Sequence, residues 1–150
     1  MSSFQFKKIK IGKKRSLFKI IKTTDIESFS KISGDNNKIH VDNDFASKTI
    51  FKKTVAHGMI GASFISTIIG TKIPGDGALW YSQNIEFLLP VRVGDTLKIS
   101  AEIIKKIPKL NAIELKTSIL NQYKKLVTTG IAKVKIIEDS PKSILIKENN

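Results

Sequence analysis

The chain has 150 residues, contains no cysteine, and carries 26 Lys and Arg against 13 Asp and Glu. A single domain of this length buries roughly 68–70% of the surface of its unfolded chain and is stable without disulfides or a structural metal. The lack of cysteine excludes disulfides, thiolate zinc sites and cysteine nucleophiles. No apolar run reaches the roughly 18–20 residues of a membrane-spanning helix, so we expect no membrane partner and a cytoplasmic location.

The formal net charge of +13 admits two interpretations. A basic chain attracts polyanions such as nucleic acids, acidic lipids or phosphate-rich cofactors. Abundant Lys, Ile and Asn are also what the codons of an AT-rich genome produce. Nucleic-acid readers favour arginine and stacked aromatic residues, but only Arg15 and Arg92 are present and aromatic residues make up 7% of the chain. We therefore predict no nucleic-acid partner and a modest attraction of anionic ligands.

The first predicted elements are a strand over residues 16–22 and a helix that follows it. Thr24 and Glu27 have the spacing of a capping box at the start of the helix, and Gly34 is a typical C-terminal cap. The helix has one apolar face, formed by Ile26, Phe29 and Ile32. Residues 42–47 are predicted to form a brief helical turn with Phe45 facing inward.

A second helix is predicted over residues 59–70. Its apolar residues surround most of the circumference and are Met59, Ile60, Phe64, Ile65, Ile68 and Ile69. A helix that is apolar nearly all round is normally buried, and Gly58 and Gly61 allow other backbone to come close. We therefore expect this helix to lie at the centre of the fold.

The remaining segments predict β-structure. Four runs over residues 78–90, 96–107, 112–123 and 126–137 are separated by short turns, which indicates an antiparallel sheet. Long strands beside a buried helix predict an α+β fold of the hotdog kind, in which a curved sheet wraps around a long central helix. Residues 1–137 form the single predicted domain.

Two further expectations concern the limits of that domain and its partners. Residues 138–150 are predicted to be a polar C-terminal tail. One open sheet face cannot cover a helix that is apolar on all sides. We therefore expect a homodimer or a higher homo-oligomer in which two sheets extend each other.

The polar segment "SGDNNKIHVDND" places Asp35 and His40 five positions apart. That separation leaves two side chains roughly 140° apart on an α-helix and on opposite faces of a strand. A turn brings them together, and Gly34, Asn36 and Asn37 are residue types that favour turns. A carboxylate and an imidazole that share one water can take a proton from it and deliver a proton to a substrate, although a solvated turn has the same composition.

A second histidine strengthens the catalytic interpretation. His57 precedes Gly58 at the start of the buried helix, where the first amides have no intrahelical partner and the helix dipole is positive. A glycine there lets a ligand carbonyl approach the amide closely, as an oxyanion site requires. Tight packing around the glycine is the alternative explanation, and the two are compatible.

The run "SGDNNKIHVDNDFASKTIFKKTVAHGMI" resembles the hydratase signature of the MaoC-like family of (R)-specific enoyl-CoA hydratases. The family motif reads approximately G-D-x-N-P-[IL]-H-x-D and is followed after a gap by H-G-M. Similarity extends to "LPVRVGDTL" and "TTGIAKVKI", so that most of residues 9–137 are covered. The chain departs from the motif at Lys38, where the family usually has proline.

The resemblance implies a role for each matching residue. Asp35 and His40 would bind and activate water, and the Gly58 amide would bind the thioester carbonyl. The supporting residues would be Asn37, which holds the loop, His57, and Ser66, which matches a serine near the catalytic pair. It implies no metal or redox cofactor, because coenzyme A or an acyl-carrier arm is part of the acyl thioester substrate.

Three other functions are compatible with parts of the sequence. A hotdog thioesterase would use the same oxyanion site to hydrolyse acyl thioesters. A non-catalytic module would bind the acyl thioester without reacting, and a basic nucleic-acid binder would use the lysine excess. The Asp–His pair favours hydration over these alternatives.

Overall fold

The computed structural model of the protein describes residues 4–137. The predicted tail at 138–150 lies outside the described residues, so the tail and the domain limits stay predictions. The helices are α1 (Phe4–Lys8), α2 (Thr23–Ser33), α3 (Lys38–Val41), α4 (Asn43–Ser47) and α5 (Gly58–Thr71). The strands are β1 (Lys14–Ile20), β2 (Ala78–Phe87), β3 (Thr96–Ile107), β4 (Ala112–Leu120) and β5 (Leu126–Ile136).

The five strands form one antiparallel sheet in the order β1-β3-β4-β5-β2. Strands β3, β4 and β5 are joined by hairpins, as the short separators predicted. Strand β1 pairs with β3 and β2 pairs with β5, so β1 and β2 are the two edges. The predicted strands are confirmed within a few residues at their ends.

Helix α5 packs against the inner face of this sheet. Four of its isoleucines, Ile60, Ile65, Ile68 and Ile69, are buried in the main core. They meet side chains that point inward at alternate positions of β3 and β4, among them Ile99, Ile103, Leu115 and Ile119. The sheet around a central helix is the predicted α+β hotdog fold.

Only one side of α5 is covered within a single chain, which corrects the expectation of a helix buried all round. Met59 is 52% exposed, and Ser63, Ser66 and Thr67 are also exposed. One sheet covers one side of a helix, so the opposite side remains accessible. Among residues 4–137 no helix is long and apolar enough to cross a membrane.

The start of α2 differs from the predicted capping box. The helix begins at Thr23, and the carboxylate of Asp25 accepts a hydrogen bond from the Lys22 amide at 2.8 Å. Asp25 therefore closes the helix start in place of Thr24 and Glu27. The C-terminal cap at Gly34 is confirmed, with φ of 77° in the left-handed region.

Two predicted inward-facing side chains point to solvent. Ile32 is 85% exposed, because at about 100° per residue it lies roughly 120° around α2 from Ile26. Ser30 is buried in its place. Phe45 is 43% exposed, and its neighbour Ala46 is the buried residue of α4.

Candidate active site

The turn between α2 and α3 is fixed by its own polar side chains. The Asp35 carboxylate accepts a hydrogen bond from the Asn37 amide at 3.1 Å. The Asn37 side chain in turn accepts from the Ile39 amide at 3.2 Å and begins the single turn of α3. Asp35 thus sits in a turn while His40 sits on a short helix, so the two side chains converge without a regular element joining them.

One ring nitrogen of His40 is held by the backbone of another segment. Its Nδ1 lies 2.7 Å from the carbonyl oxygen of Val55. A carbonyl only accepts, so Nδ1 carries the proton and donates it. The Nε2 atom of His40 is therefore the nitrogen that is left for chemistry.

The imidazole of His57 lies behind that of His40 and is buried, with 3% of its surface exposed. The two rings stack with centroids 3.8 Å apart, and Phe29 contacts the His57 ring at 4.8 Å. Nε2 of His57 donates to the backbone carbonyl of Asp35 at 3.0 Å, while the Asp35 carboxylate is 3.9 Å away.

The two ring nitrogens of His57 have different surroundings. Its Nδ1 is buried without a partner among the described residues. A proton on that atom would be a buried donor without an acceptor, which is costly. The Nε2 proton is therefore the one that His57 uses, and it holds the Asp35 backbone.

Asp35, His40 and His57 each place one polar atom in a common cluster. These atoms lie within 4.8 Å of one another. One water can bridge such a gap, because two hydrogen bonds of about 2.8 Å span up to about 5.6 Å.

The first residue of α5, Gly58, follows His57 directly. Its amide is one of the helix-start donors that lack an intrahelical acceptor. The ring of Phe87 packs against Gly58 so closely that a Cβ atom there would lie 2.6 Å from it. A larger residue at this position would therefore force the Phe87 ring to move.

Two openings reach these groups from the surface. An apolar cavity of about 240 Å³ is lined by His57 and Gly58 together with Phe51 and Phe87. A groove of about 630 Å³ between α2 and α3 is lined in part by His40. A ligand can therefore approach the histidines and the start of α5.

The family model described as "MaoC like domain" matches residues 6–123. The chain belongs to the MaoC-like domain family. It is 40% identical over 113 residues to the (R)-specific enoyl-CoA hydratase of Rhodospirillum rubrum, covering 75% of this chain and 78% of that protein. It is 34% identical over 128 residues to the (R)-specific enoyl-CoA hydratase of Aeromonas caviae, covering 85% and 96%.

A solved structure shares the fold of this MaoC-like chain. The R-hydratase PhaJ1 from Pseudomonas aeruginosa, in the unliganded form, superimposes with a TM-score of 0.83 at 33% identity. The match covers 93% of this chain and 95% of that one. The resemblance drawn from the sequence motifs is therefore confirmed at the level of family and fold.

Ser66 is a predicted site residue that makes no hydrogen bond to Asp35, His40 or His57 within the described part of the MaoC-like chain. It is exposed on α5 and lies eight residues beyond Gly58. At 1.5 Å per residue it is about 12 Å further along the helix axis. A role for Ser66 beside the catalytic pair stays a prediction.

Two parts of the site were missed by sequence reasoning. The carbonyl of Val55 orients His40, but every residue has a carbonyl, so no residue type marks it. Phe29 contacts His57, yet its apolar spacing on α2 indicated only a place in the core. Neither role leaves a signal in a single MaoC-like sequence.

Proposed function

We propose that this protein is an (R)-specific enoyl-CoA hydratase, which adds water reversibly to trans-2-enoyl thioesters. The observation that carries the proposal is the approach of the polar atoms of Asp35 and His40 to within 4.8 Å of each other. That gap fits one shared water. The two MaoC-like relatives with the same name support the stereochemistry and the thioester class.

In the proposed reaction the Asp35 carboxylate takes a proton from the water as its oxygen bonds to C3 of the enoyl group. Protonated His40 donates its Nε2 proton to C2, and the C2–C3 double bond becomes single. Both groups act from one side of the substrate, so the addition is syn. The proton on Asp35 then returns to His40, which restores both residues.

The Gly58 amide is the proposed donor to the thioester oxygen. Negative charge develops on that oxygen while water adds at C3. A helix-start amide is already oriented, so it stabilises this charge without rearrangement. The proposed reaction uses no metal or redox cofactor, since proton transfer and one amide donor suffice.

The thiol part of the substrate is coenzyme A or an acyl-carrier arm. Curated relatives include a 3-hydroxybutyryl-CoA dehydratase of Methylorubrum extorquens and a mitochondrial 3-hydroxyacyl-[acyl-carrier-protein] dehydratase of Arabidopsis thaliana. Both carriers present a phosphate group, to which the net charge of +13 is complementary. A cytoplasmic location stays a prediction from composition.

The proposed assembly is a homodimer through the β2 edge. The side chains of Leu79 and Tyr81 are 49% and 48% exposed there, and the strand carries one charged residue, Glu86. The other edge, β1, carries Lys14, Arg15 and Lys19, and lysine and other charged residues on an edge strand oppose pairing with another chain. Pairing through β2 would extend the sheet.

The proposal is tested with one unsaturated and one saturated substrate, crotonyl-CoA and butyryl-CoA. A hydratase lowers the absorbance of the crotonyl thioester and releases no thiol from either substrate. Release of free thiol from both would identify a thioesterase. Binding of crotonyl-CoA without turnover would identify a non-catalytic module.

A further inference from the structure

The side chain of Arg92 holds the loop between α4 and α5. Its guanidinium donates to the backbone carbonyls of Phe51 at 2.7 Å, Lys53 at 3.0 Å and Thr54 at 3.1 Å. Arg92 is itself fixed, because its amide donates to the Asp95 carboxylate at 2.8 Å and its carbonyl accepts from the Asp95 amide at 3.1 Å. The guanidinium is planar and always charged, and it thus bonds to three peptide groups of the loop.

The loop needs an external support. Lys52 has φ of 62°, a left-handed conformation that few residues other than glycine adopt. Such a conformation persists where surrounding contacts over-determine it. The bonds from Arg92 are made on either side of Lys52, at Phe51 and Lys53.

Two consecutive peptide groups connect this loop to His40. In the first, the Thr54 carbonyl accepts from Arg92 and the Val55 amide donates to Ile39 at 3.1 Å. In the second, the Val55 carbonyl accepts from His40 and the Ala56 amide donates to a carbonyl of the β2–β3 connection at 2.7 Å. Peptide groups are planar, so bonds on both edges fix the direction of each carbonyl.

We propose that Arg92 is a positioning residue for His40. By fixing the Thr54–Val55 peptide, it aims the Val55 carbonyl at Nδ1 of the imidazole, so that Nδ1 stays bonded and Nε2 stays available for the reaction. The catalytic consequence rests on the proposed hydratase function. Loss of Arg92 therefore lowers kcat, since the guanidinium bonds to the loop that orients His40 and not to the reacting atoms.

The test compares Arg92→Ala, Arg92→Lys and the control Arg15→Ala. Arg15 is the only other arginine, is exposed, and donates to its neighbour's carbonyl. We expect kcat for crotonyl-CoA to fall roughly 10- to 100-fold in Arg92→Ala, as when the hydrogen-bond partner of a metal-binding histidine is removed. Arg92→Lys should recover part of the loss, because an ammonium still donates, and Arg15→Ala should match the wild type.

A second readout is independent of activity. Long-range proton–nitrogen NMR of the neutral imidazoles reports which nitrogen is protonated, and the chain has two histidines, so His40→Gln assigns both. The wild type should show His40 protonated at Nδ1, and Arg92→Ala should show a mixture of tautomers. If Arg92→Ala does not fold, the His40 tautomer is measured in Arg92→Lys and Arg92→Gln instead.

The proposal is overturned if a folded Arg92 variant keeps the wild-type kcat and the wild-type His40 tautomer, even if its melting temperature is lower. A wild type that hydrates no enoyl thioester would instead remove the proposed function. In that case the tautomer measurement still decides whether Arg92 orients His40.

Discussion

At the scale of single residues, Lys38 replaces the proline of the family motif, and the backbone at this position keeps the conformation that a proline would favour. Lys38 is the first residue of α3, and Asn37 before it has φ of −56° and ψ of 130°. Proline is favoured at the first helical position, and a residue before proline takes this extended conformation. The backbone therefore already has the shape that the motif proline would impose.

Lys38→Pro should be tolerated. Fixing a compatible φ reduces the entropy of the unfolded chain, so we expect the free energy of unfolding to rise by about 0.4–1 kcal/mol, measured in urea, with the crotonyl-CoA rate unchanged. The control Lys48→Pro should be destabilising, because the Lys48 amide donates to Phe45 at 3.1 Å. A loss of stability in Lys38→Pro would mean that the turn differs from the one described.

Residue-scale prediction selected side chains that lie together in the structure, while their catalytic roles stay predictions. The spacing of Asp35 and His40 and the glycine after His57 were readable because only certain residue types turn, titrate or leave space. It failed for Ile32, where intervals of three drift around the helix. Backbone acceptors such as the Val55 carbonyl depend on tertiary contacts, which the sequence does not display.

At the scale of elements, α1 shows how a five-residue helix is held. A helix this short is unstable alone. Phe6 is buried with 2% of its surface exposed, and the Lys106 ammonium lies 4.7 Å from its ring centroid. The same ammonium donates to the Ile9 carbonyl at 2.8 Å, so β3 anchors the segment after α1.

Phe6→Ala should lower the free energy of unfolding by about 3–5 kcal/mol, the usual cost of removing a buried aromatic side chain. Phe18→Ala is the matched control, since Phe18 is 66% exposed, and should change it by less than about 0.5 kcal/mol. Urea denaturation followed by circular dichroism measures both. Equal, small losses in the two variants would contradict the anchoring role of Phe6.

The strands and α5 were predicted to within a few residues, because a hydrophobic period of two persists along β3 and β4 and a long apolar run marks α5. Helix α1 was not predicted, since its stability comes from the contact of Phe6 with the core and not from a local pattern. The start of α2 differs from the prediction because the Asp25 carboxylate, rather than the Glu27 carboxylate, accepts a hydrogen bond from the free amide at the helix start.

At the scale of the whole molecule, the exposed side of α5 and the apolar β2 edge are two surfaces that a second copy of the chain would cover. The sequence predicted a helix buried all round, and a single sheet leaves Met59 and its neighbours exposed. Coverage by a second copy would reconcile the apolar pattern with the observed exposure. The sequence pattern does not identify which surface of the second chain would pack against α5.

The proposed dimer should dissociate when charge is placed on the β2 edge. Leu79→Lys with Tyr81→Lys should reduce the mass in light scattering from about twice 16.7 kDa to that value, because paired edge strands would bring like charges together. Phe18→Lys on the β1 edge is the control and should remain dimeric. A wild type that is monomeric, or a dimer lost only in the control, would contradict pairing through β2.

The central claim is that Asp35 and His40 act on one water as a unit, and a double-mutant comparison of crotonyl-CoA hydration tests it most directly. Residues that act together give strongly non-additive losses. With folding verified, Asp35→Asn and His40→Gln should each abolish most of the activity, and the double variant should be little slower than either. Wild-type rates in either single variant, or losses that multiply in the double variant, would contradict the shared water.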